Sequence, residues 1–251
     1  IGDEGQERLI QASALVVGCG ALGTLEAELL ARAGVGRIRI ADRDIVEENN
    51  LQRQVLFDEQ DVRDGLPKAE AAARKLRAIN STITVEPLVT DVTPRNVETI
   101  LDGMSVVLDG TDNFETRYLV NDVCLQARVP WIYGACVAAH GTALLIRPGR
   151  TPCLRCVIGE RPAPGSAETC DTVGVVGPIV QVVAGVQAAE ALKLLVADEE
   201  ARRLGVILAG CRASPAQPLN MTARCPACLR DSSRWVVVVF ESLSSILPKP
   251  I

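Results

Sequence analysis

A single histidine, His140, occurs in the 251 residues. Mechanisms that need a pair of imidazoles, as proton relay or as metal ligands, therefore lack their material. Aromatic residues make up only 3% of the chain, too few for base-stacking platforms or aromatic cages. Positive charge is not in excess, since the formal net charge is −5. That argues against a nucleic-acid or anionic-membrane surface as the main partner. The first residues, IGDEGQERLI, are acidic and carry no apolar signal core. They also lack an initiator Met, so an N-terminal arm is expected ahead of Ile1. The most apolar stretch, Val173 to Val196, is interrupted by Pro178, Gln181, Gln187, Glu190 and Lys193. Those residues would be expensive in hydrocarbon, so the stretch reads as a loop followed by a buried soluble helix. No internal repeat is visible.

Apolar residues form 48% of the chain and charged ones 23%, a balance that excludes a disordered polymer. The length is enough to bury a proper core and corresponds to one or two domains at roughly 150 residues each. There are nine cysteines. With no export signal they are expected as reduced thiols or metal ligands in a cytoplasm, not as a disulfide framework.

The pattern alternates strand and helix. Strands are expected over 14–17, 37–41, 83–88, 105–108 and 131–133. Helices are expected from the glycine turn to about Ala33, over 67–79 with Pro67 in the first position, over 94–101 and over 113–128. This is the signature of a parallel, doubly wound sheet. After about Val137 the rhythm changes to an antiparallel-type strand over 141–147, a helix over 178–197 and a strand over 206–209. The second half thus extends the sheet. Between the halves, GERPAPG (159–165) is a Pro/Gly-rich loop expected to be mobile. The tail run WVVVVF (235–240) is a strand that must be covered to avoid aggregation.

Gly18-Cys19-Gly20-Ala21-Leu22-Gly23 fits G-x-G-x-x-G directly after a strand and at the opening of a helix. Such glycines let backbone approach a phosphate, and the helix N-terminus supplies aligned N–H groups. Asp42 lies 19 residues after Gly23, at the end of the second strand, where a carboxylate can accept from ribose hydroxyls. On this signal alone NAD is the default ligand, and a turn whose glycines merely pack is the alternative.

From Ala41 onward the chain departs from a dehydrogenase: ADRDIVEENNLQRQ, then DGLPKAEAA, then LDGTDNFETR. In these segments, in this order, the chain from about Gly5 to Cys228 resembles the MoeB/ThiF family of adenylyltransferases that activate ubiquitin-like sulfur carriers. These are relatives of ubiquitin-activating enzymes. The resemblance implies a Rossmann-like doubly wound α/β sheet, parallel in the N-terminal half and extended by antiparallel strands in the C-terminal half. It implies one adenylation domain over 1–251, with a nucleotide-binding half (1–136) and a carrier-binding half with a zinc site (137–251). It further implies that Gly18, Gly20, Ala21 and Gly23 cradle ATP, that Asp42 holds the ribose, and that Asp44, Asn49, Asn50, Leu51, Gln52 and Arg53 line the nucleotide site. Asn113 accompanies Asp112.

The chemistry accounts for the residue types. Attack of a carboxylate on the α-phosphorus of ATP requires charge neutralisation around the triphosphate. Arg53 and Lys68 are the natural cations, and Asp112 the natural ligand for Mg²⁺. Each has a plainer reading alone: Asp112 as the N-cap of the following helix, Lys68 and Arg53 as solvated surface cations. The ordered set points to ATP.

Cys153-Leu-Arg-Cys156 and Cys225-Pro-Ala-Cys228 are two C-x-x-C knuckles separated by 68 residues. Four thiolates suit a structural Zn²⁺, and a thiol–disulfide pair is the alternative. The family's long-range four-cysteine site favours zinc. Among the other cysteines, Cys19, Cys124 and Cys136 are expected to pack, and Cys211 has no role. Cys170 matches a cysteine that some members use in sulfur or acyl transfer; an ordinary loop thiol is the other reading. His140 is expected at the surface or in packing.

The expected function is ATP-dependent adenylation of the C-terminal glycine of a ubiquitin-like sulfur carrier, for thiamine, molybdopterin or tRNA thiolation. The expected partners are that carrier, a persulfide sulfur donor and a second copy of the chain, with no nucleic acid and no membrane. A tRNA-modifying relative and an NAD-binding Rossmann protein are the alternatives. Relatives carry an Arg on an N-terminal arm reaching the partner's ATP site, and no equivalent precedes Gly2, so the ATP site formed by these residues is expected to be incomplete. No domain-sized tail follows Cys228, so a rhodanese-like module is not expected.

Overall fold

The computed structural model of the chain describes residues 1–163, 173–196 and, as backbone, 237–240. Its first strand, β1 (Ser13–Val17), is the short apolar run SALVV and is buried at every position. It lies mid-sheet, where helices cover both faces and a continuous apolar run is what the surroundings demand. β2 (Arg37–Ala41), β3 (Thr84–Leu88), β4 (Val106–Asp109) and β5 (Trp131–Val137) join it in parallel. β6 (His140–Ile146) then turns back antiparallel on β5, and β7 (Val237–Phe240) pairs antiparallel with β6. The order across the sheet is β3-β2-β1-β4-β5-β6-β7. The expected fold class is thus found. Of the tail strand expected at 235–240, the described residues 237–240 lie on the sheet, with Leu144 opposite Val237 and Gly141 opposite Phe240, while 235 and 236 lie outside the described residues.

Alternation along the strands divides the core. Ala14, Val16, Ile38, Ile40, Val106 and Leu108 face one layer, with Ala27, Leu30 and Ala31 of α2 (Ala21–Ala33), Leu76 of α4 (Lys68–Ile79) and Ala191 of α8 (Gly177–Val196). Leu15, Val17 and Val107 face the other. There they meet Ile100 and Leu101 of α5 (Val97–Leu101), Tyr118 and Cys124 of α6 (Phe114–Ala127) and Leu154 of α7 (Leu154–Ile158).

Several boundaries differ from the expected ones, each for a local reason. The acidic N-terminus, for which no element was expected, forms α1 (Gly2–Gln11). It buries Leu9, and Arg8 Nη1 donates to Val196 O at 2.5 Å. Pro67 stands outside α4 as its N-cap: its ring fixes φ at −57°, but ψ is 137°, extended, and it bridges Ile45. The helix expected from 94 starts at Val97, because Asn96 Oδ1 accepts from Thr93 N at 2.8 Å and holds 93–96 as a turn. The fifth strand runs on to Val137, since it is one arm of the β5–β6 hairpin. Short insertions, the 3₁₀ turn Glu48–Asn50 and α3 (Glu59–Arg63), had no expected counterpart.

Among the described residues α8 is the one helix long and apolar enough to cross a membrane. Here it packs against α2, β5 and β6 and buries Gln187 and Glu190. Its apolarity is that of a helix covered on several sides. The strand expected at 206–209 lies outside the described residues.

Candidate nucleotide site

The chain passes from β1 to β2 and β3 on one side, then returns to place β4 on the other. That reversal opens a crevice at the carboxyl ends of β1 and β4, where open α/β sheets bind ligands. A cavity of about 550 Å³ occupies it.

Two glycine turns form its floor. Gly18 adopts φ +84°, and a Cβ there would lie 2.7 Å from the Gly110 carbonyl oxygen. Gly23, in the first turn of α2, is equally constrained: its Cβ would lie 1.9 Å from Gly18 O. Gly23 shapes the loop and does not line the cavity. Gly20 does line it, and a Cβ there would meet nothing closer than 3.9 Å. α2 begins without a side-chain cap, and Ala21 and Leu22 line the cavity. A helix start of this kind favours an anion.

Asp42 sits just past β2. Its Oδ2 accepts from Cys19 N at 2.6 Å and its Oδ1 from Asp44 N at 2.7 Å, which ties the first glycine turn to the second strand. Burial pushes its carboxyl above the usual range, against the two N–H donors and Lys68, which pull it down. Burial also pushes the Cys19 thiol well up, with Asp42 adding to it, so Cys19 stays protonated. Lys68 opens α4 and is only 7% exposed, with Nζ 3.1 Å from Asp44 Oδ2. The solvated-surface reading of Lys68 is therefore excluded. Arg53 donates to Asn49 O at 2.9 Å and has no carboxylate partner among the described residues.

After β4, Asp112 is exposed at the cavity, with Asn113 Nδ2 3.4 Å from its Oδ1. Asp112 is not the cap of α6, which corrects that alternative: Asn113 is the N-cap and accepts from Thr116 N at 2.8 Å.

Of the residues expected around a nucleotide, Gly18, Gly20, Ala21, Asp42, Asp44, Asn49, Asn50, Arg53, Lys68, Asp112 and Asn113 line this one cavity. Leu51 instead packs on the core, and Gln52 is exposed outside the cavity. Cys170, Cys211, Cys225 and Cys228 lie outside the described residues. Cys19, Cys124 and Cys136 are buried, as expected, and Cys136, on β5, also lines the cavity. His140 opens β6 and is exposed.

The donor chemistry can be tested against the implied groups. A glycine floor, an uncapped helix start and two cations fit a triphosphate. Asp112, exposed beside them, fits Mg²⁺, which takes one or two carboxylates together with substrate phosphates. Cys153 and Cys156 have their Sγ atoms 3.8 Å apart. That is the edge of a tetrahedron with metal–sulfur bonds of about 2.3 Å, so this half of the expected site fits zinc. Among the described residues no group of three or more His, Cys, Asp or Glu gathers as for a metal.

Gln54, Asp109 and Arg117 have no expected role from their residue types, yet Gln54 and Arg117 border the cavity and Asp109 lies buried behind it, paired with Arg117. Gln54 lines the cavity, is 3% exposed, and its Oε1 has no hydrogen-bond partner. Asp109 and Arg117 form a buried pair, Oδ2 to Nε 3.2 Å, beneath the Asp112 turn. The available signal was their place inside NNLQRQ and LDGTDNFETR.

The profile of the ThiF family matches residues 1–226. The chain is 49% identical over 199 residues to the sulfur carrier protein ThiS adenylyltransferase of Bacillus subtilis (strain 168), spanning 79% of this chain and 59% of that protein. It is 36% identical over 253 residues to the sulfur carrier protein adenylyltransferase of Thermus thermophilus, 98% of this chain and 93% of that protein. Among solved structures, E. coli MccB with ATP superposes with a TM-score of 0.68 at 27% identity, covering 77% of this chain and 59% of that one.

Proposed function

The chain belongs to the ThiF family, and from that premise we propose that it adenylates the C-terminal glycine of a small ubiquitin-like sulfur-carrier protein with ATP. The observation that carries this reading is the meeting of Arg53, Lys68 and Asp112 with the Gly18–Gly20 turn in one cavity. A dinucleotide oxidoreductase would have no use for that set. The names of the relatives support the substrate class.

The carrier's terminal carboxylate attacks the α-phosphorus, the new bond being carboxylate oxygen to phosphorus. The bond from that phosphorus to the β-phosphate bridging oxygen breaks, and pyrophosphate leaves with its electrons. Arg53 and Lys68 neutralise the negative charge that gathers on the phosphate oxygens. Asp44 holds the Lys68 ammonium in place at 3.1 Å. Asp42 spends one lone pair of each oxygen on Cys19 and Asp44 N–H groups and keeps others for the ribose hydroxyls. Mg²⁺ bound at Asp112 would draw charge from the same phosphates.

The same proposal places the acyl-adenylate in the path of a sulfur nucleophile delivered by a persulfide donor, with Cys170 the thiol that takes part in transfer. It includes a structural zinc on Cys153, Cys156, Cys225 and Cys228, a homodimer and a cytoplasmic setting. The pathway served is thiamine, molybdopterin or tRNA thiolation.

The test is pyrophosphate release from ATP on adding carriers that end in Gly-Gly, against the same carriers lacking the last glycine. Release is expected with the intact tail alone, and Asp112→Ala should abolish it. Cys170→Ser should keep the release and lose the later sulfur step. Absence of release with every intact carrier, alongside binding of NAD in preference to ATP, overturns the reading.

A further inference from the structure

Asp112 has a loosely held side chain and a tightly held backbone. Among the described residues its carboxylate has one hydrogen-bond contact, Asn113 Nδ2 at 3.4 Å from Oδ1, which leaves Oδ2 and a lone pair of Oδ1 open to a ligand. On the C-terminal side the backbone is fixed by the Asn113 cap of α6. On the N-terminal side Thr111 is gripped twice. Asp109 Oδ1 accepts from Thr111 N at 3.0 Å and from Thr111 Oγ1 at 2.6 Å. Arg117 Nη2 donates to Thr111 O at 2.6 Å and to Gly134 O at 3.1 Å, while its Nε stands 3.2 Å from Asp109 Oδ2. The guanidinium is held between the Phe114 and Tyr133 rings, 5.4 and 5.3 Å from their centroids. Gln187 of α8 donates to Asp109 O at 3.1 Å and locks the acid from behind.

We propose that Arg117 is a positioning residue: acting through Thr111, it holds Asp112 where the carboxylate can engage the metal–triphosphate. The inference rests on the adenylation reading above. The geometry asks for a guanidinium. Only a planar fork can reach a carboxylate and two carbonyls at once, and a lysine could pair with Asp109 but not span the rest. Stability alone does not account for the pair, because a buried ion pair roughly breaks even against well-packed apolar residues. A carboxylate presented on a turn is best fixed through its backbone, since every side-chain anchor takes a lone pair from the oxygens it has to offer.

The experiment is ATP binding to the whole chain by titration calorimetry, in EDTA and across a Mg²⁺ series. Arg117→Lys is expected to lose much less ATP affinity in EDTA than it loses at limiting Mg²⁺. Its Mg²⁺ half-saturation should rise about 10- to 100-fold, the usual effect of removing an outer-shell partner. Asp112→Asn should rise similarly, and the double variant should be no worse than either single one, because both break the same linkage. Thr111→Val, which removes a hydroxyl from Asp109 and leaves the ion pair, should shift Mg²⁺ dependence the same way by less; it decides the matter if Arg117→Lys does not fold. Unchanged Mg²⁺ half-saturation in folded Arg117→Lys and Thr111→Val overturns the inference and leaves Arg117 a packing role, whatever happens to the melting temperature. A parent that binds no ATP under either condition overturns the adenylation reading itself, and the inference with it.

Discussion

Gly18 and Gly20 belong to one motif, yet the structure gives them opposite constraints. Gly18 has positive φ and backbone 2.7 Å from where a Cβ would be, so its limits are internal to the protein. Gly20 has 3.9 Å of clearance on the protein side and faces the cavity, so its limit is set by whatever the cavity holds. Gly18→Ala should therefore cost stability, about 1–3 kcal/mol from strain alone. Gly20→Ala should leave the melting temperature near the parent's and weaken ATP binding by about tenfold or more, or ~1.4 kcal/mol. Differential scanning fluorimetry beside calorimetry separates the two. A Gly20→Ala protein that binds ATP normally would mean the phosphates do not approach this turn.

At the scale of elements, α3 and α8 show two ways in which tertiary contacts set local behaviour. α3 has only five residues and depends on its cap, with Asp58 accepting from Gln60 and Asp61 N–H groups while Asp61 reaches back to Asp58 N. Lys75, foremost, and these N–H donors hold the Asp58 carboxyl down to about 2, from 3.8. A carboxyl depressed on folding adds stability above its unfolded value and loses it as pH falls through the folded one. Its contribution should thus be complete above about pH 4 and vanish toward pH 2. Asp58→Asn keeps an N-cap side chain but cannot titrate, so its acid unfolding curve should be flatter than the parent's over that window.

α8 lies on the β5–β6 hairpin because Gly134 lets it approach. A Cβ at 134 would stand 2.3 Å from the Gln187 amide, which donates to Asp109 O and Ile132 O, both at 3.1 Å. Gly134→Ala should cost about 1–3 kcal/mol through overpacking. Its effect should not add to that of Gln187→Ala, because the two residues are in contact. Additive losses in urea unfolding would show that the helix had moved away from the strand.

For the whole molecule the question is what ties residues beyond α8 to the body. β7 joins the sheet at β6, and Cys153 with Cys156 stands at thiolate spacing for a tetrahedral ion. If Cys225 and Cys228 complete that site, one ion closes a loop of some 68 residues, and long loops gain most from closure. Elemental analysis of freshly prepared reduced protein should find about one zinc per chain, as four thiolates require. Cys153→Ser or strong chelation should remove it and lower the melting temperature, while ATP affinity below the transition stays near the parent's. Protein without zinc would return the two knuckles to the thiol–disulfide alternative.

The linear chain determined the fold class and most of the lining of the candidate nucleotide cavity, because both rest on local signals. Apolar runs of strand length, glycines at fixed offsets and a carboxylate at the end of β2 can all be read from residues close in sequence. Tertiary structure alone decided what depends on distant partners. It made Asn113, not Asp112, the cap of α6, turned Leu51 into the core, carried β5 four residues past Tyr133 into a hairpin and drew the N-terminus into a helix against α8. It also made Arg117 a clamp on Thr111, since its partners come from β4, the turn beyond it and β5. A buried polar side chain is recognised by the groups that satisfy it, and those are brought together by folding, not by spacing along the chain.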